Sequence, residues 1–163
     1  MIALDMKALV NRADRVLYGV VESSATHWTS DHDAIYTDVT VRVQRSYKGA
    51  VNPGETVVVR REGGNLDGVG MKVFGAAAFT VGEEVVVFME KRGNASYVVG
   101  MAQGKLRVAT AADGTKLVMA PEISGIDLLQ TKARPSLVMR TRALEDFEAE
   151  LKTLVRASQP GAK

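Results

Sequence analysis

Asp33 to Gly49 read DAIYTDVTVRVQRSYKG, a stretch of strict alternation that ends in a Lys-Gly turn signal. Successive side chains of a strand point to opposite sides of its sheet, so alternate residues share one face. On one face of this stretch lie Ile35, Thr37, Val39, Val41 and Val43. A helix would scatter part of this set and crowd its β-branched side chains. The stretch therefore predicts a long strand with one buried face, against which the rest of the protein must pack.

Length, charge and composition limit the possible classes of protein. The 163 residues fit one domain with a core that needs no disulfide or metal. The 21 basic and 19 acidic residues are too balanced to indicate nucleic acid or an anionic membrane as partner. The absence of cysteine excludes a disulfide framework, thiolate catalysis and Cys-ligated zinc. No apolar run approaches the roughly 20 residues that span a bilayer, and residues 1–9 lack the pattern of a signal peptide, so we expect no transmembrane segment.

Short strands and turns surround the long strand, and a helix is predicted at each end of the sequence. Asp5 is the predicted cap of a helix that reaches about Ala13, and an apolar stripe predicts an amphipathic helix over 141–158. Two polar or glycine-rich segments, Ser24 to His32 and Arg61 to Gly70, are predicted to be exposed loops, and 121–135 to be a connection. The other predicted strands cover 16–21, 56–60, 84–90, 96–101, 105–109 and 116–119.

These elements predict a mainly β fold. Many short strands joined by hairpin turns, with a helix at each end, are typical of an OB-fold-like closed β-barrel with a short N-terminal helix and a C-terminal amphipathic helix. Closure is favoured because several strands are apolar on both faces. We expect a single barrel domain over 1–163, with the barrel itself in 14–120 and the C-terminal helix in 141–158.

Residues 13–21 read ADRVLYGVV, and the long strand closes in Tyr47-Lys48-Gly49. This D-x-V-x-x-G-x-V strand followed by Y-K-G resembles the opening of netrin-like domains and of tissue inhibitors of metalloproteinases, over about the first third of the sequence. The resemblance implies a barrel of the same kind with terminal helices packed against it. Those inhibitors act through an N-terminal cysteine, which this protein lacks, so the resemblance does not extend to protease inhibition.

Motifs farther along the sequence show a second resemblance. Residues 63–68 (GGNLDG), 79–83 (FTVGE) and 99–105 (VGMAQGK) are similar to segments of small exported bacterial proteins of unassigned function. This resemblance implies export to the periplasm or the outside of the cell, by a signal peptide that these residues do not include. It implies no chemistry.

One candidate metal site lies in the first predicted loop. His27, Asp31, His32 and Asp33 have side chains that can bind zinc or calcium. The calcium pattern of alternating oxygen ligands with a distal glutamate is absent, and a solvated loop accounts for the same residues. We therefore predict no metal and no other cofactor.

Two further segments have the composition of a binding surface. Arg60 to Gly68 place glycines beside two arginines, which can hold phosphate, sulfate or a carboxylate, although a wide connection with positive φ angles is the simpler interpretation. Asp38 and the near-neutral charge argue against a second hypothesis, a strand face that binds single-stranded nucleic acid. That face would consist of Tyr36, Arg42, Tyr47, Lys48, Arg60 and Lys72.

The sequence contains neither G-x-S-x-G nor H-E-x-x-H, and we expect no enzyme. The prediction is a non-enzymatic binding or structural module of the bacterial cell envelope or extracellular matrix, with a protein or glycan as partner. A hydrolase with a carboxylate/His pocket and a single-stranded nucleic-acid-binding OB-fold protein are the alternatives. Because barrel strands use their inner faces for the core, we expect binding at long loops that share one barrel end. The predicted binding residues are Trp28, Arg61, Asn65 and Asp67.

Overall fold

The computed structural model describes residues 4–120 and 140–158. Within these ranges the fold is mainly β with a helix near each end, which confirms the predicted class at this level. The predicted connection over 121–135 lies outside the described residues. The elements in sequence order are α1 (Met6–Arg12), β1 (Arg15–Trp28), β2 (Ile35–Lys48), β3 (Thr56–Glu62), β4 (Gly64–Leu66), β5 (Val69–Met71), β6 (Glu84–Arg92), β7 (Ala95–Val98), β8 (Lys105–Thr110), β9 (Lys116–Val118), β10 (Arg142–Ala143) and α2 (Leu144–Ser158).

The long alternating stretch forms β2, and its predicted buried face is confirmed. β1 and β2 are 14 residues each and pair antiparallel from Val16 opposite Lys48 to Trp28 opposite Ile35. The side chains that β2 buries are Ile35, Thr37, Val39, Val41 and Val43.

β1 and β6 lie at the centre of the sheet. β1 pairs with β2 on one side and with β6 on the other, while β6 also pairs with β7 and β8. β3 pairs with β2 and, through the parallel bridge between Arg60 and Tyr97, with β7. In the described residues this bridge is the one pairing that joins β3 to β7, so a closed barrel of the OB-fold kind stays a prediction.

The apolar side chains form two clusters, one on each side of the central strands. The first packs β1, β6 and β8 against both helices and includes Leu9, Val16, Phe88, Phe147 and Leu151. The second lies on the opposite face and includes Leu17, Val41, Val59, Val87 and Met89. The apolar residues on both faces of β1 and β6 are therefore buried on both, as predicted.

Both helices pack as their sequences predict, but α2 begins at Leu144 and not at residue 141, because Arg142 and Ala143 pair with β9 as the short strand β10. The Asp5 carboxylate caps α1 by accepting a hydrogen bond from the Ala8 amide (2.8 Å). The helix α2 buries its apolar stripe against α1 and the sheet, and Leu154 at the edge of the stripe is partly buried. The buried residues of that stripe are Leu144, Phe147, Leu151 and Val155.

The prediction of exposed loops at Ser24 to His32 and at Arg61 to Gly70 is wrong for most of both segments. Ser24 to Trp28 belong to β1, because they pair with β2 along its whole length, and only residues 29–34 form the turn. Arg61 lies in β3, and residues 64–71 form the β4–β5 hairpin instead of a loop. Asp67 and Gly68 occupy the turn of this hairpin with φ angles of 52° and 76°, the positive values that tight two-residue hairpins require.

Candidate functional site

The β1–β2 hairpin and the β4–β5 hairpin meet at one end of the molecule, and we call residues 26–37 and 63–71 the joined hairpins. The Trp28 Nε1 group donates a hydrogen bond to Asp67 Oδ2 (2.7 Å). The Ile35 amide lies 3.3 Å from the Met71 Sδ atom and donates to it. The two segments predicted to protrude therefore reach the same end of the fold.

Gly63 and Gly64 bring the two hairpins into close contact. The Gly63 amide donates to the Ile35 carbonyl (2.8 Å), and the Gly63 carbonyl accepts from Thr37 Oγ1 (2.8 Å). A Cβ atom on Gly64, whose φ is 138°, would lie 2.5 Å from Thr37 Oγ1. Gly63 and Gly64 thus provide positive φ angles and close backbone approach. This agrees with the simpler interpretation of Arg60 to Gly68, a connection that needs positive φ angles, and not with an anion site. The Gly63 amide already has a partner and does not belong to an anion cradle.

A pocket of about 500 Å³ opens beside the β4–β5 hairpin. Its polar lining comes from Arg61, Asn65 and Lys72, and its apolar lining includes Met71, Val73 and Phe74. Among the described residues no carboxylate lines it. The pocket is therefore a positively charged cavity whose walls are partly polar and partly apolar.

Arg61 differs from its neighbour Arg60, because adjacent residues of a strand face opposite sides. Arg60 donates to both Asp38 oxygens (2.8 and 3.2 Å) and lies 3.9 Å from the centre of the Tyr36 ring; the hydrogen bond to Asp38 raises its pKa. The Arg61 guanidinium makes no hydrogen bond or ion pair with any residue of 4–120 or 140–158. Burial lowers the pKa of Arg61, because desolvation disfavours its charged form. Arg61 is a partly buried cation that faces an open pocket.

The four predicted binding residues fall into two pairs. Trp28 and Asp67 bind each other, so they hold the hairpins together, and Trp28 is partly buried where an exposed anchor was expected. Arg61 and Asn65 line the pocket. Lys72 was predicted only for a nucleic-acid face and Phe74 for no site, although both line the same pocket.

The four candidate metal ligands have separate surroundings. The His27 ring lies 5.4 Å from the Tyr36 ring, and the His32 ring lies 5.5 Å from the Trp28 ring. Asp33 accepts a hydrogen bond from Thr29 (2.7 Å), and Asp31 is exposed. In the part of the protein that the structure describes, no group of three or more His, Cys, Asp or Glu residues is placed to hold a metal ion.

Most residues of the predicted nucleic-acid face have partners within the protein. Arg42 pairs with Glu22 (2.8 Å), and Lys48 donates to the Val10 carbonyl (2.9 Å). Tyr36 is covered by the Arg60 guanidinium. Each contact would have to break before these groups could bind a phosphate or stack on a base.

A polar cluster between α2 and β2 was not predicted from the sequence. Glu148 accepts hydrogen bonds from Arg45 (2.5 and 2.6 Å) and from the Tyr47 hydroxyl (2.5 Å). Burial and the bond to Glu148 raise the pKa of Tyr47 well above its usual value. A sequence signal was present, because Glu148 falls between Leu144 and Leu151 on the apolar stripe of α2 and is buried with them.

A second polar cluster, again of a glutamate with a tyrosine and a cation, connects β1 to β6 and β9. Glu84 accepts hydrogen bonds from the Tyr18 hydroxyl and from Lys116 Nζ, the latter at 2.8 Å. Burial, followed by the bond to Glu84, raises the pKa of Tyr18 above its usual range. Burial would also raise the pKa of Glu84, but the bonds from Lys116 and Tyr18 outweigh it and lower that pKa.

No known protein family matches the sequence, and no curated protein is significantly similar to it. None of the described helices has the length and apolar character needed to cross a membrane. Function must therefore be inferred from the chemistry of the site.

Proposed function

We propose that this protein is a non-enzymatic binding module of the bacterial cell envelope or extracellular matrix, which captures a protein or glycan partner at the joined hairpins and at the adjoining pocket that Arg61 lines. The observation that carries the proposal is Arg61, a partly buried guanidinium that lines a pocket of about 500 Å³ and has no counter-charge among the described residues. A partly buried cation without an ion pair loses part of its hydration, and such costs are typical of functional sites. An anionic group on the partner would supply the missing counter-charge.

The fold we propose is an OB-fold-like closed barrel whose hairpins at one end carry the recognition surface. The strand pairings support it, since they run from β1 through β2, β3, β7 and β6 and return to β1. Strands of such a barrel use their hydrogen bonds on one another, which leaves the connecting hairpins for binding. The location outside the cytoplasm rests on the resemblance to small exported bacterial proteins.

The contacts of the interior carboxylates favour binding over hydrolysis. Glu148 and Glu84 are each held by a cation and a tyrosine hydroxyl, an arrangement that fixes structure, and the bonds from Lys116 and Tyr18 lower the pKa of Glu84. A general acid or base would need to face a cavity and exchange a proton near neutral pH. Neither glutamate lines the pocket beside Arg61.

The test compares capture by the wild-type protein with capture by Arg61→Ala. Immobilised protein is incubated with envelope and medium fractions of a bacterium that carries this gene. We expect Arg61→Ala to weaken capture at least tenfold, about 1.4 kcal/mol, with an unchanged unfolding midpoint because its guanidinium has no described partner to lose. Arg156, an exposed residue of α2, provides the matched control, Arg156→Ala. Equal capture by wild type and Arg61→Ala would refute the proposal.

A further inference from the structure

We infer that the pocket beside Arg61 binds a carboxylate attached to an apolar group, with Arg61 as the residue that contacts the carboxylate. A free organic acid or the C-terminus of a polypeptide that ends in an apolar residue would offer this chemistry. The inference rests on the proposed function of the joined hairpins and names the ligand class that this function requires.

The charge of the lining selects an anion. Arg61 and Lys72 are the charged residues of the pocket, and among the described residues no carboxylate lines it. The Lys72 Nζ atom lies 5.5 Å from the centre of the Phe74 ring, which keeps a second positive charge near the pocket. An anion that enters would meet two cations without displacing a described partner of Arg61.

The free guanidinium of Arg61 favours a planar anion with two oxygens. Of the groups described at this end of the fold, only Arg61 offers an unoccupied guanidinium, since Arg60 is held by Asp38 and the Gly63 amide by the Ile35 carbonyl. One guanidinium presents a planar fork that matches the two oxygens of a carboxylate.

The apolar part of the lining can contact an apolar body of the ligand. Met71, Val73 and Phe74 line the pocket together with two alanines, and Phe74 is 58 % exposed. A cavity of about 500 Å³ is within the range of roughly 300–1,000 Å³ typical of small-molecule sites. It has room for a side chain of the size of phenylalanine beside the carboxylate.

The ¹⁵N-labelled protein is titrated with N-acetylphenylalanine and, separately, with the neutral N-acetylphenylalaninamide. Binding is measured from the chemical-shift changes of the backbone amides. We expect the acid to bind with a dissociation constant on the order of 1 mM or tighter. Shifts should centre on residues 61–76, and the amide should bind at least roughly tenfold more weakly. A blocked tetrapeptide that ends in a free phenylalanine carboxylate, and its C-terminal amide, form the second pair of probes. Tighter binding of the tetrapeptide than of the amino acid identifies a polypeptide C-terminus as the source, and the reverse identifies a free acid.

Arg61→Gln should weaken binding of the acid at least roughly tenfold with its unfolding midpoint retained, while Arg156→Gln should bind like the wild type. The inference is overturned if acid and amide bind equally, or if Arg61→Gln binds the acid as well as the wild type does. It is also overturned if neither acid binds while capture of the envelope partner still depends on Arg61, and in that case the proposed function stands. Loss of the Arg61 dependence in both experiments would refute both.

Discussion

The bond between Tyr47 and Glu148 should fix α2 to the sheet, and Tyr47→Phe removes that bond with almost no change of shape. The hydroxyl donates to the Glu148 carboxylate at 2.5 Å, and the glutamate side chain is only 10 % exposed. Arg45, the other partner of Glu148, has a side chain that is 55 % exposed and can be hydrated in either state. The tyrosine bond is therefore the better shielded of the two interactions.

Hydrogen bonds to charged groups contribute about 1.5–3 kcal/mol, and we expect Tyr47→Phe to lower the free energy of unfolding by about 2 kcal/mol. Glu148→Gln and the double variant complete a cycle that isolates the pair. Its coupling energy should be about 1 kcal/mol, because Tyr47→Phe removes the bond while Glu148→Gln removes only the charge that strengthens it.

Urea unfolding followed by far-ultraviolet circular dichroism measures these differences, with an unchanged m-value as evidence that only stability has changed. Tyr36→Phe is the matched control, because the Tyr36 ring contacts Arg60 and His27 through its face while no described residue bonds its hydroxyl. A loss below about 0.5 kcal/mol for Tyr47→Phe, or a coupling energy near zero, would mean that apolar contacts alone hold α2.

Three further predictions concern stability. Phe147→Ala should lower the free energy of unfolding by about 3–5 kcal/mol, because the ring is buried in the cluster between α2 and the sheet; a midpoint shift within error would contradict that packing. The pKa of Glu84 is lowered overall, so its contribution is present above the unfolded-state value of about 4.3 and lost as the pH falls through the folded value. Urea midpoints measured across this range should fall less for Glu84→Gln than for the wild type, and parallel curves would contradict the linkage. Zinc, calcium and chelator should leave the melting temperature unchanged, since a site filled to a hundred times its dissociation constant would add about 2.7 kcal/mol. A shift that disappears in the His27→Ala, Asp31→Ala double variant would reveal a metal site.

The sequence predicts those elements whose burial follows a local period. Val39 and Val41 alternate with polar residues in β2, and Leu144 and Leu151 fall on one stripe of α2, so each pattern states which face is buried. These predictions need no knowledge of what packs against the face, and the structure confirms them.

Ser24 to Trp28, the polar end of β1, show no alternation of apolar and polar residues. Ser24 to Trp28 form a strand because β2 continues opposite them, and most of their side chains are exposed. The length of β2 predicts an equally long partner, because the backbone groups of a 14-residue strand need a neighbouring strand to pair with.

The pocket could be predicted only in part. Arg61 and Asn65 stood out by composition, but Lys72 and Phe74 reach the pocket through the way residues 72–78 pack beside β5, which no local pattern encodes. The Asp67-Gly68 pair was a hairpin signal, and it identifies the turn of β4–β5 in retrospect. The use of Trp28 as the partner of Asp67 depends on a contact between distant segments.

Amide hydrogen exchange of the protein with and without its captured partner tests most directly whether the joined hairpins are the binding surface. We predict that the partner slows exchange in residues 28–34 and 64–78, while α2 over Leu144–Ser158 exchanges as in the free protein. Protection confined to α2, or to the strands away from the Arg61 pocket, would contradict the account.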